Sequence, residues 1–266
     1  MRNLIKLFLG KKFYNLLKIL YYSLYEPKLL KSLFWNPMQD LRYNEDIFAK
    51  LEFNVEGIKS ELANNNMDYF NDNISWQHHI FLGLKLKNPK EKMNILEIGT
   101  FDGNFTNFLS NNFSASNIFS IDLPQDDKIF LTSYDRDNAV YLKEFLLKRD
   151  KNISNNNITF LPSDSISLIE KFEKNFFDMI FVDGDHLNPQ VTIDIFTSTL
   201  LLKKEGVLVC DDIIFENYKK NYASNEAYLA LQMLEKKNLL TNFFLVKRIR
   251  TYNAVLKKHV SISYKK

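Results

Sequence analysis

The run at residues 94–103, Asn-Ile-Leu-Glu-Ile-Gly-Thr-Phe-Asp-Gly, constrains the fold of this chain more than any other segment. Its first half is apolar like a buried strand, and it ends in two glycines, Gly99 and Gly103, with Glu97 just before them. Because glycine tolerates a positive φ and has no side chain, such a turn lets bare backbone approach a ligand. The run therefore predicts a strand, a glycine turn and a helix that line a crevice for a nucleoside.

After residue 93, short apolar runs alternate with helical stretches, a pattern that predicts a parallel sheet covered by helices on both faces. Five runs read as strands of this sheet, at 94–99, 117–122, 157–162, 177–183 and 206–211. Two further runs, at 243–249 and 254–260, flank a turn at Tyr252 and Asn253 and predict a terminal hairpin. The predicted fold class is α/β, a Rossmann-like doubly wound sheet of seven strands with a C-terminal antiparallel hairpin.

The first part of the chain has a different composition. Residues 1–90 look helical and predict an N-terminal appendage, whereas residues 91–266 hold the predicted ligand-binding domain. The first 25 residues are apolar and aromatic but carry five basic residues, too many for a membrane span of roughly 20 uncharged residues. An amphipathic basic helix remains, and it can lie on an anionic membrane surface or pack on the protein body or a partner subunit.

Composition excludes some classes of protein. The net charge of +3 on 266 residues is too small by itself to argue for nucleic acid, since such binders usually show a concentrated basic face, and no nucleic-acid partner is expected. Cys210 is the only cysteine, which rules out an intrachain disulfide and a cysteine zinc cluster. These features favour a reducing, cytoplasmic location.

Acids follow the predicted strands at the edge of the sheet where open α/β proteins bind ligands. Asp183, Asp211 and Asp212 follow neighbouring strands. Carboxylates at such short distances repel one another unless a cation lies among them. Oxygen ligands suit Mg²⁺, Ca²⁺ or Mn²⁺, so these acids predict a divalent-cation site. The alternative is that each strand-end acid caps the next helix or loop.

Four segments taken together, ILEIGTFDG, Ile121-Asp122, FDMIFVDGDH and GVLVCDD, resemble class I S-adenosylmethionine-dependent methyltransferases over roughly residues 75–260. The resemblance implies that the glycine turn faces the methionine part of the cofactor and that Asp122 holds the ribose hydroxyls. It implies an adenine-side loop at Ser163 and Asp164. The full implied cofactor set is Glu97, Gly99, Thr100, Phe101, Gly103, Asp122, Leu123, Ser163, Asp164 and Asp183.

Within that class, the chain is similar to metal-dependent O-methyltransferases of the catechol type and of the sugar type related to macrocin methylation. This implies Mg²⁺ or Mn²⁺ on Asp183, Asp211 and Asp212, chelating two vicinal oxygens of the acceptor. His186 falls where catechol enzymes carry a lysine base, so it is the expected general base. Asp185 as the base, or a substrate or metal contact by His186, stays open.

The resemblance is closer to the sugar enzymes, because Asp212 stands where catechol enzymes have asparagine. We therefore expect methylation of a sugar hydroxyl, on a nucleotide-linked sugar or a precursor of a bacterial surface or capsular glycan. The expected location is cytoplasmic, with contact at the inner membrane and homo-oligomerisation left open. The alternatives are a metal-independent O- or N-methyltransferase of small molecules and a non-catalytic glycan- or membrane-associated binding protein.

Overall fold

The computed structural model describes residues 36–70, 76–89, 92–215, 225–250 and 255–266. The basic segment at residues 1–25 lies outside this part of the chain. Among the described helices, none combines the length and the apolar character that crossing a bilayer demands.

The described residues form helices and strands with the following bounds. The helices are α1 (Pro37–Lys50), α2 (Val55–Asn64), α3 (Gln77–Lys87), α4 (Asn104–Asn112), α5 (Lys128–Thr132), α6 (Ala139–Asn152), α7 (Leu168–Lys171), α8 (Gln190–Leu201) and α9 (Glu226–Lys236). The strands are β1 (Asn94–Ile98), β2 (Asn117–Asp122), β3 (Ile158–Pro162), β4 (Phe177–Val182), β5 (Leu202–Ile213), β6 (Leu240–Arg250) and β7 (Val255–Lys265).

One seven-stranded sheet has the strand order β3-β2-β1-β4-β5-β7-β6. The pairs among β1 to β5 are parallel, and β7 runs antiparallel between β5 and β6. This confirms the predicted α/β class, the seven strands and the antiparallel C-terminal hairpin.

The apolar runs of the central strands are buried on both faces of the sheet. Ile95 and Met179 belong to one apolar cluster, whereas their neighbours Leu96 and Ile180 belong to the other. Successive side chains of a strand point to opposite faces, so a continuous apolar run indicates a sheet that helices cover twice.

Several element boundaries differ from the expectation, and β7 in particular extends to Lys265 instead of residue 260. The helical stretch that follows β3 consists of a 3₁₀ turn at Ser165–Ser167 and the one-turn helix α7, and the Ser167 hydroxyl donates to the Asp164 carbonyl at 2.7 Å. β5 begins at Leu202 instead of 206, because Leu202 already pairs with Phe177 before an irregularity in the ladder. Local hydrogen bonds and a break in register are hard to see in a hydrophobic pattern.

Helix α1 protects the free edge of the sheet. β6 is an edge strand, and the buried Asn44 side chain pairs with both backbone groups of Val246, donating to its oxygen at 2.9 Å and accepting from its nitrogen at 2.7 Å. Two residues along, the Arg248 guanidinium binds both oxygens of Asp40 at 2.7 and 3.0 Å. Covering an edge in this way prevents it from pairing with another chain. The described N-terminal helices therefore pack on the domain that holds the sheet.

Replacing Asn44 by alanine tests this attachment. The variant leaves the buried N–H and C=O of Val246 without partners, so we expect a loss of about 2 kcal/mol in the free energy of unfolding. Denaturant titration measures the loss. Asp46→Ala, an exposed change on the same helix, is the control and should stay within about 0.5 kcal/mol of the unchanged protein. Equal stability of both variants would contradict the anchoring role.

Candidate active site

The glycine turn after β1 has the geometry that the sequence predicts. Gly99 has a φ of 101° and Gly103 a φ of 73°, both in the left-handed region. A Cβ atom on Gly99 would lie 2.4 Å from the carbonyl oxygen of Asp183, so the turn and the end of β4 touch through their backbones. Only glycine allows this approach, which brings two strand ends together.

Asp122 at the end of β2 is tied to the glycine turn. One carboxylate oxygen accepts from the Phe101 nitrogen and the other from the Leu123 nitrogen, each at 2.8 Å. Burial raises the pKa of Asp122, and these two backbone hydrogen bonds oppose the rise. Each oxygen keeps a second lone pair for a further donor such as a ribose hydroxyl.

Glu97 lies beneath the turn in a buried network. Its carboxylate accepts hydrogen bonds from the Thr106 hydroxyl and from the Ser120 hydroxyl, the latter at 2.6 Å. The Thr100 hydroxyl lies 2.6 Å from the same Ser120 oxygen, and Glu97 and Thr100 are both buried. Burial raises the pKa of Glu97 to about 7. The direct partners of these two side chains are interior hydroxyls, and their contact with a cofactor stays a prediction.

The loop after β3 lies beside Asp122, because the Ser163 nitrogen donates to the Asp122 carbonyl at 2.9 Å. Both side chains of the predicted adenine-side pair have local partners. The Asp164 carboxylate accepts from the Ile166 nitrogen at 2.9 Å, and the Ser163 hydroxyl lies 2.8 Å from that of Ser167. Asp164 thus serves as a helix cap, and its adenine contact stays a prediction.

We name Asp183, Asp211 and Asp212 the acid rim. Its negative charge faces two lysines of the terminal hairpin. The Lys247 ammonium lies 2.5 Å from Asp211 Oδ2 and 3.0 Å from Asp212 Oδ1, and the Lys258 ammonium binds Asp212 Oδ2. The two lysine side chains are only 11% and 13% exposed, so solvent screens these ion pairs weakly.

An irregularity in β5 lets consecutive acids share one lysine. Side chains normally alternate between the two faces of a strand. Here the pairing of β5 with β7 shifts between Cys210 and Ile213, and Asp212 has a φ of 56°. A bulge of this kind redirects a side chain. As a result Asp211 and Asp212 both reach Lys247, and the Asp211 Oδ1 atom is buried without a hydrogen-bond partner among the described residues.

His186 lies between two members of the acid rim. Its Nε2 atom is 3.6 Å from Asp183 Oδ1 and 3.8 Å from Asp212 Oδ2. Burial lowers the pKa of His186 although Asp212 and Asp211 act to raise it, and the neutral imidazole is the form that accepts a proton. Asp185 is exposed instead, and its carboxylate accepts from the Leu187 nitrogen in a turn. The structure therefore brings His186, and not Asp185, to the acid rim.

The two lysines also give Asp183 and Asp212 different tendencies to take up a proton. Burial and the nearby Asp211 raise the pKa of Asp183 well above its ordinary value. Burial acts to raise the pKa of Asp212 as well, but Lys247 and Lys258 together outweigh it and lower that pKa to about 2. Asp212 is consequently held as the anion beside His186, whereas Asp183 takes up a proton more readily.

The donor set does not fit a divalent cation. Lys247 and Lys258 already bind Asp211 Oδ2 and both carboxylate oxygens of Asp212, and these two ammonium groups would repel a third cation placed beside them. Among the described residues, no group of three His, Cys, Asp or Glu side chains is arranged to hold a metal ion. The expectation of a metal assumed that the three acids lacked a counter-charge, and Lys247 and Lys258 supply one.

The two lysines are the residues that sequence reasoning missed. A signal for them existed in the predicted hairpin, since a turn centred on Tyr252 and Asn253 pairs residue 247 with residue 258. The structure has this register, with Lys247 directly opposite Lys258. Two like charges opposite each other destabilise a sheet unless an anion lies between or beside them. The pairing therefore pointed to acids at the end of a neighbouring strand.

Comparisons with known proteins agree with this architecture. Residues 96–213 match a family model described as a methyltransferase domain, a span from β1 to the end of β5 that includes the glycine turn and the acid rim. No curated protein sequence matched the chain.

Solved structures resemble the fold at low sequence identity. A protein from Klebsiella pneumoniae assigned as an O-methyltransferase has a TM-score of 0.50 at 13% identity, covering 86% of this chain and 98% of that one. Cofactor-bound Rv0187 from MTB has a TM-score of 0.50 at 16% identity, covering 87% and 98%. At this identity the similar structures show a shared fold, and the domain match places a methyltransferase domain at residues 96–213 within it.

Gly99→Ala tests the backbone contact at the centre of the site. The new Cβ would meet the Asp183 carbonyl at 2.4 Å on a backbone with a left-handed φ, so we expect a loss of about 3 kcal/mol or more in the free energy of unfolding. Gly184→Ala is the matched control, because its nearest contact would be an ordinary 3.5 Å. Denaturant titration of both variants gives the comparison. Similar losses would show that the close approach is not what makes Gly99 necessary.

Proposed function

We propose that this protein transfers a methyl group from S-adenosylmethionine to an oxygen of a small molecule. The observation that carries the proposal is the juxtaposition of the glycine turn, Asp122 and His186 at neighbouring strand ends within the segment that matches a methyltransferase domain. S-adenosylmethionine supplies an electrophilic methyl group on a sulfonium. The chain then has to hold the cofactor, orient the acceptor and receive the proton of the acceptor hydroxyl.

The cofactor side is assigned to the bare backbone around Gly99 and Gly103 and to the Asp122 carboxylate. Two backbone N–H groups orient that carboxylate without using all of its lone pairs, which suits the vicinal hydroxyls of a ribose. Phe101 is 41% exposed and carries its ring beside Tyr134 and Phe145, with centroids 5.2 and 5.3 Å away. This apolar surface continues from the turn and is available to the nucleoside. Leu123, Ser163 and Asp164 are assigned to the same side.

The acceptor side is assigned to His186 and the acid rim. A neutral imidazole can take the proton of a hydroxyl, and the anion of Asp212 at 3.8 Å stabilises the imidazolium that results. Asp185 keeps only the role of an alternative base. In this proposal the proton transfer uses residues of this chain alone, which favours the metal-independent form of the reaction.

For the acceptor we propose a sugar hydroxyl, on a nucleotide-linked sugar or a precursor of a bacterial surface or capsular glycan. The support is the resemblance of the segment around Asp183 and the pair Asp211-Asp212 to sugar O-methyltransferases. The proposal also includes a division of the chain into two parts at residue 90 and a cytoplasmic location. It leaves open whether residues 1–25 contact a membrane and whether two copies associate. An amine acceptor and a binding protein without activity are the competing functions.

Calorimetric titration with S-adenosylmethionine tests the cofactor side. We expect saturable binding to the unchanged protein and at least about tenfold weaker binding to Asp122→Ala, which loses a charge-assisted hydrogen bond to the ribose. Asp126→Ala, an exposed acid four residues along, should bind like the unchanged protein. Absence of heat at saturating cofactor would favour the binding-protein alternative. Equal affinity of all three proteins would remove the ribose assignment of Asp122.

His186→Ala tests the base, with nucleotide sugars screened for the mass gain of one methyl group. Turnover should fall by about 10² because the hydroxyl loses its proton acceptor, while cofactor affinity stays unchanged. Asp185→Ala is the discriminating control and should keep most of the activity. A large loss in Asp185→Ala with normal turnover in His186→Ala would reverse the assignment, and methyl transfer to amines alone would replace the hydroxyl acceptor.

A further inference from the structure

We propose that Lys247 is a positioning residue whose ammonium group takes the place of a divalent cation in the acid rim. The inference deepens the proposed function and rests on it for the role of Lys247 in the reaction. The replacement of a cation by the ammonium group depends only on the residues of the rim. Lys247 bridges Asp211 at 2.5 Å and Asp212 at 3.0 Å, a contact pattern in which one cation joins two carboxylates.

The local backbone is shaped for this bridge. The irregularity in β5 and the left-handed φ of Asp212 turn two consecutive acids toward one ammonium. A residue other than glycine in that region costs about 1–3 kcal/mol, so the conformation requires compensation from the contacts it creates. The buried ion pairs to Lys247 and Lys258 supply such contacts, since removal of one partner would leave a buried charge uncompensated.

The bridge also determines where the base lies. Asp212 is bound by Lys247 through Oδ1 and by Lys258 through Oδ2, and the same Oδ2 atom lies 3.8 Å from His186 Nε2. Without the ammonium of Lys247, repulsion between Asp211 and Asp212 would push the two carboxylates apart. Lys247 therefore acts on the acceptor through Asp212 and His186. Its ammonium group is a cation that belongs to the chain, so no metal ion has to bind.

The charge balance leads to an observable consequence. Three carboxylates and two ammonium groups form the rim, so loss of one ammonium leaves oxygen ligands with an excess of negative charge. Such a set suits a hard divalent cation. Lys247→Met should thus convert a rim that excludes metal into one that binds it.

Calorimetric titration of the full chain with Mn²⁺ tests this conversion. We expect no saturable binding to the unchanged protein, to Lys247→Arg or to the control Lys203→Met, whose lysine pairs with Asp178 at the other end of β4. Lys247→Met should instead bind Mn²⁺ saturably, at a concentration at least about tenfold below the highest one at which these three show no binding. If Lys247→Met does not fold, as judged by circular dichroism, Lys258→Met takes its place, because it also removes an ammonium from Asp212.

Two results of the titration would overturn the proposal. One is saturable Mn²⁺ binding to the unchanged protein that Asp211→Asn abolishes, which would make the rim a metal site despite its lysines. The other is Mn²⁺ binding to the lysine variant that is no stronger than to the unchanged protein. Neither result depends on detecting methyl transfer, so the proposed function can fail while this inference stands.

Activity provides the second readout. Turnover of the unchanged protein should not respond to EDTA or to added Mg²⁺, whereas Lys247→Met should lose about tenfold or more in kcat with little change in the KM for S-adenosylmethionine. Lys247→Arg should retain activity, and Mn²⁺ should restore part of it to Lys247→Met. A rise in KM for the cofactor without a loss in kcat would show that Lys247 supports cofactor binding instead of His186, and it would overturn the positioning role.

Discussion

Backbone contact between the ends of β1 and β4 is the constraint on which both halves of the site depend. A Cβ on Gly99 would lie 2.4 Å from the Asp183 carbonyl, and the Asp183 nitrogen donates to the Ile98 carbonyl at 2.9 Å. The glycine turn and the acid rim therefore begin at the same point of the sheet. Under the proposed function, a bulkier turn would separate the nucleoside from the acceptor, and an in-line displacement tolerates little separation.

Charge compensation determines what the acid rim can do. A buried carboxylate is costly unless a counter-charge or hydrogen bonds accompany it. The hairpin supplies two lysines, and helix α1 holds the edge strand that carries one of them through the Asn44 pairing at Val246 and the Arg248 pairing with Asp40. The residues on both sides of Lys247, Val246 and Arg248, are thus fixed by helix α1. Helix α1 is thereby connected, through β6 and Lys247, to the acid rim beside His186.

Much of the fold could be predicted from the pattern of apolar residues and glycines in the sequence. Continuous apolar runs such as that around Ile180 predicted strands buried on both faces, and the glycine turn predicted the left-handed residues Gly99 and Gly103. The counter-charge of the acids was not predicted, because repulsion between Asp211 and Asp212 can be relieved by a metal or by a lysine that is remote in sequence. The bulge that turns both acids to one side has no signature in hydrophobicity, since it depends on the register of β5 with β7.

A fixed ammonium and a metal ion place different demands on the acceptor. Mg²⁺ in the metal-dependent families that the sequence resembles binds two vicinal oxygens, and its strict geometry selects diols. The ammonium of Lys247 already has two carboxylate partners, so it leaves the acceptor no comparable chelate. Selection of the hydroxyl must then come from the shape of the pocket and from the reach of His186. An acceptor with a single hydroxyl near the sulfonium satisfies that condition as well as a diol does, so the sugar that we propose as acceptor does not have to present a vicinal diol.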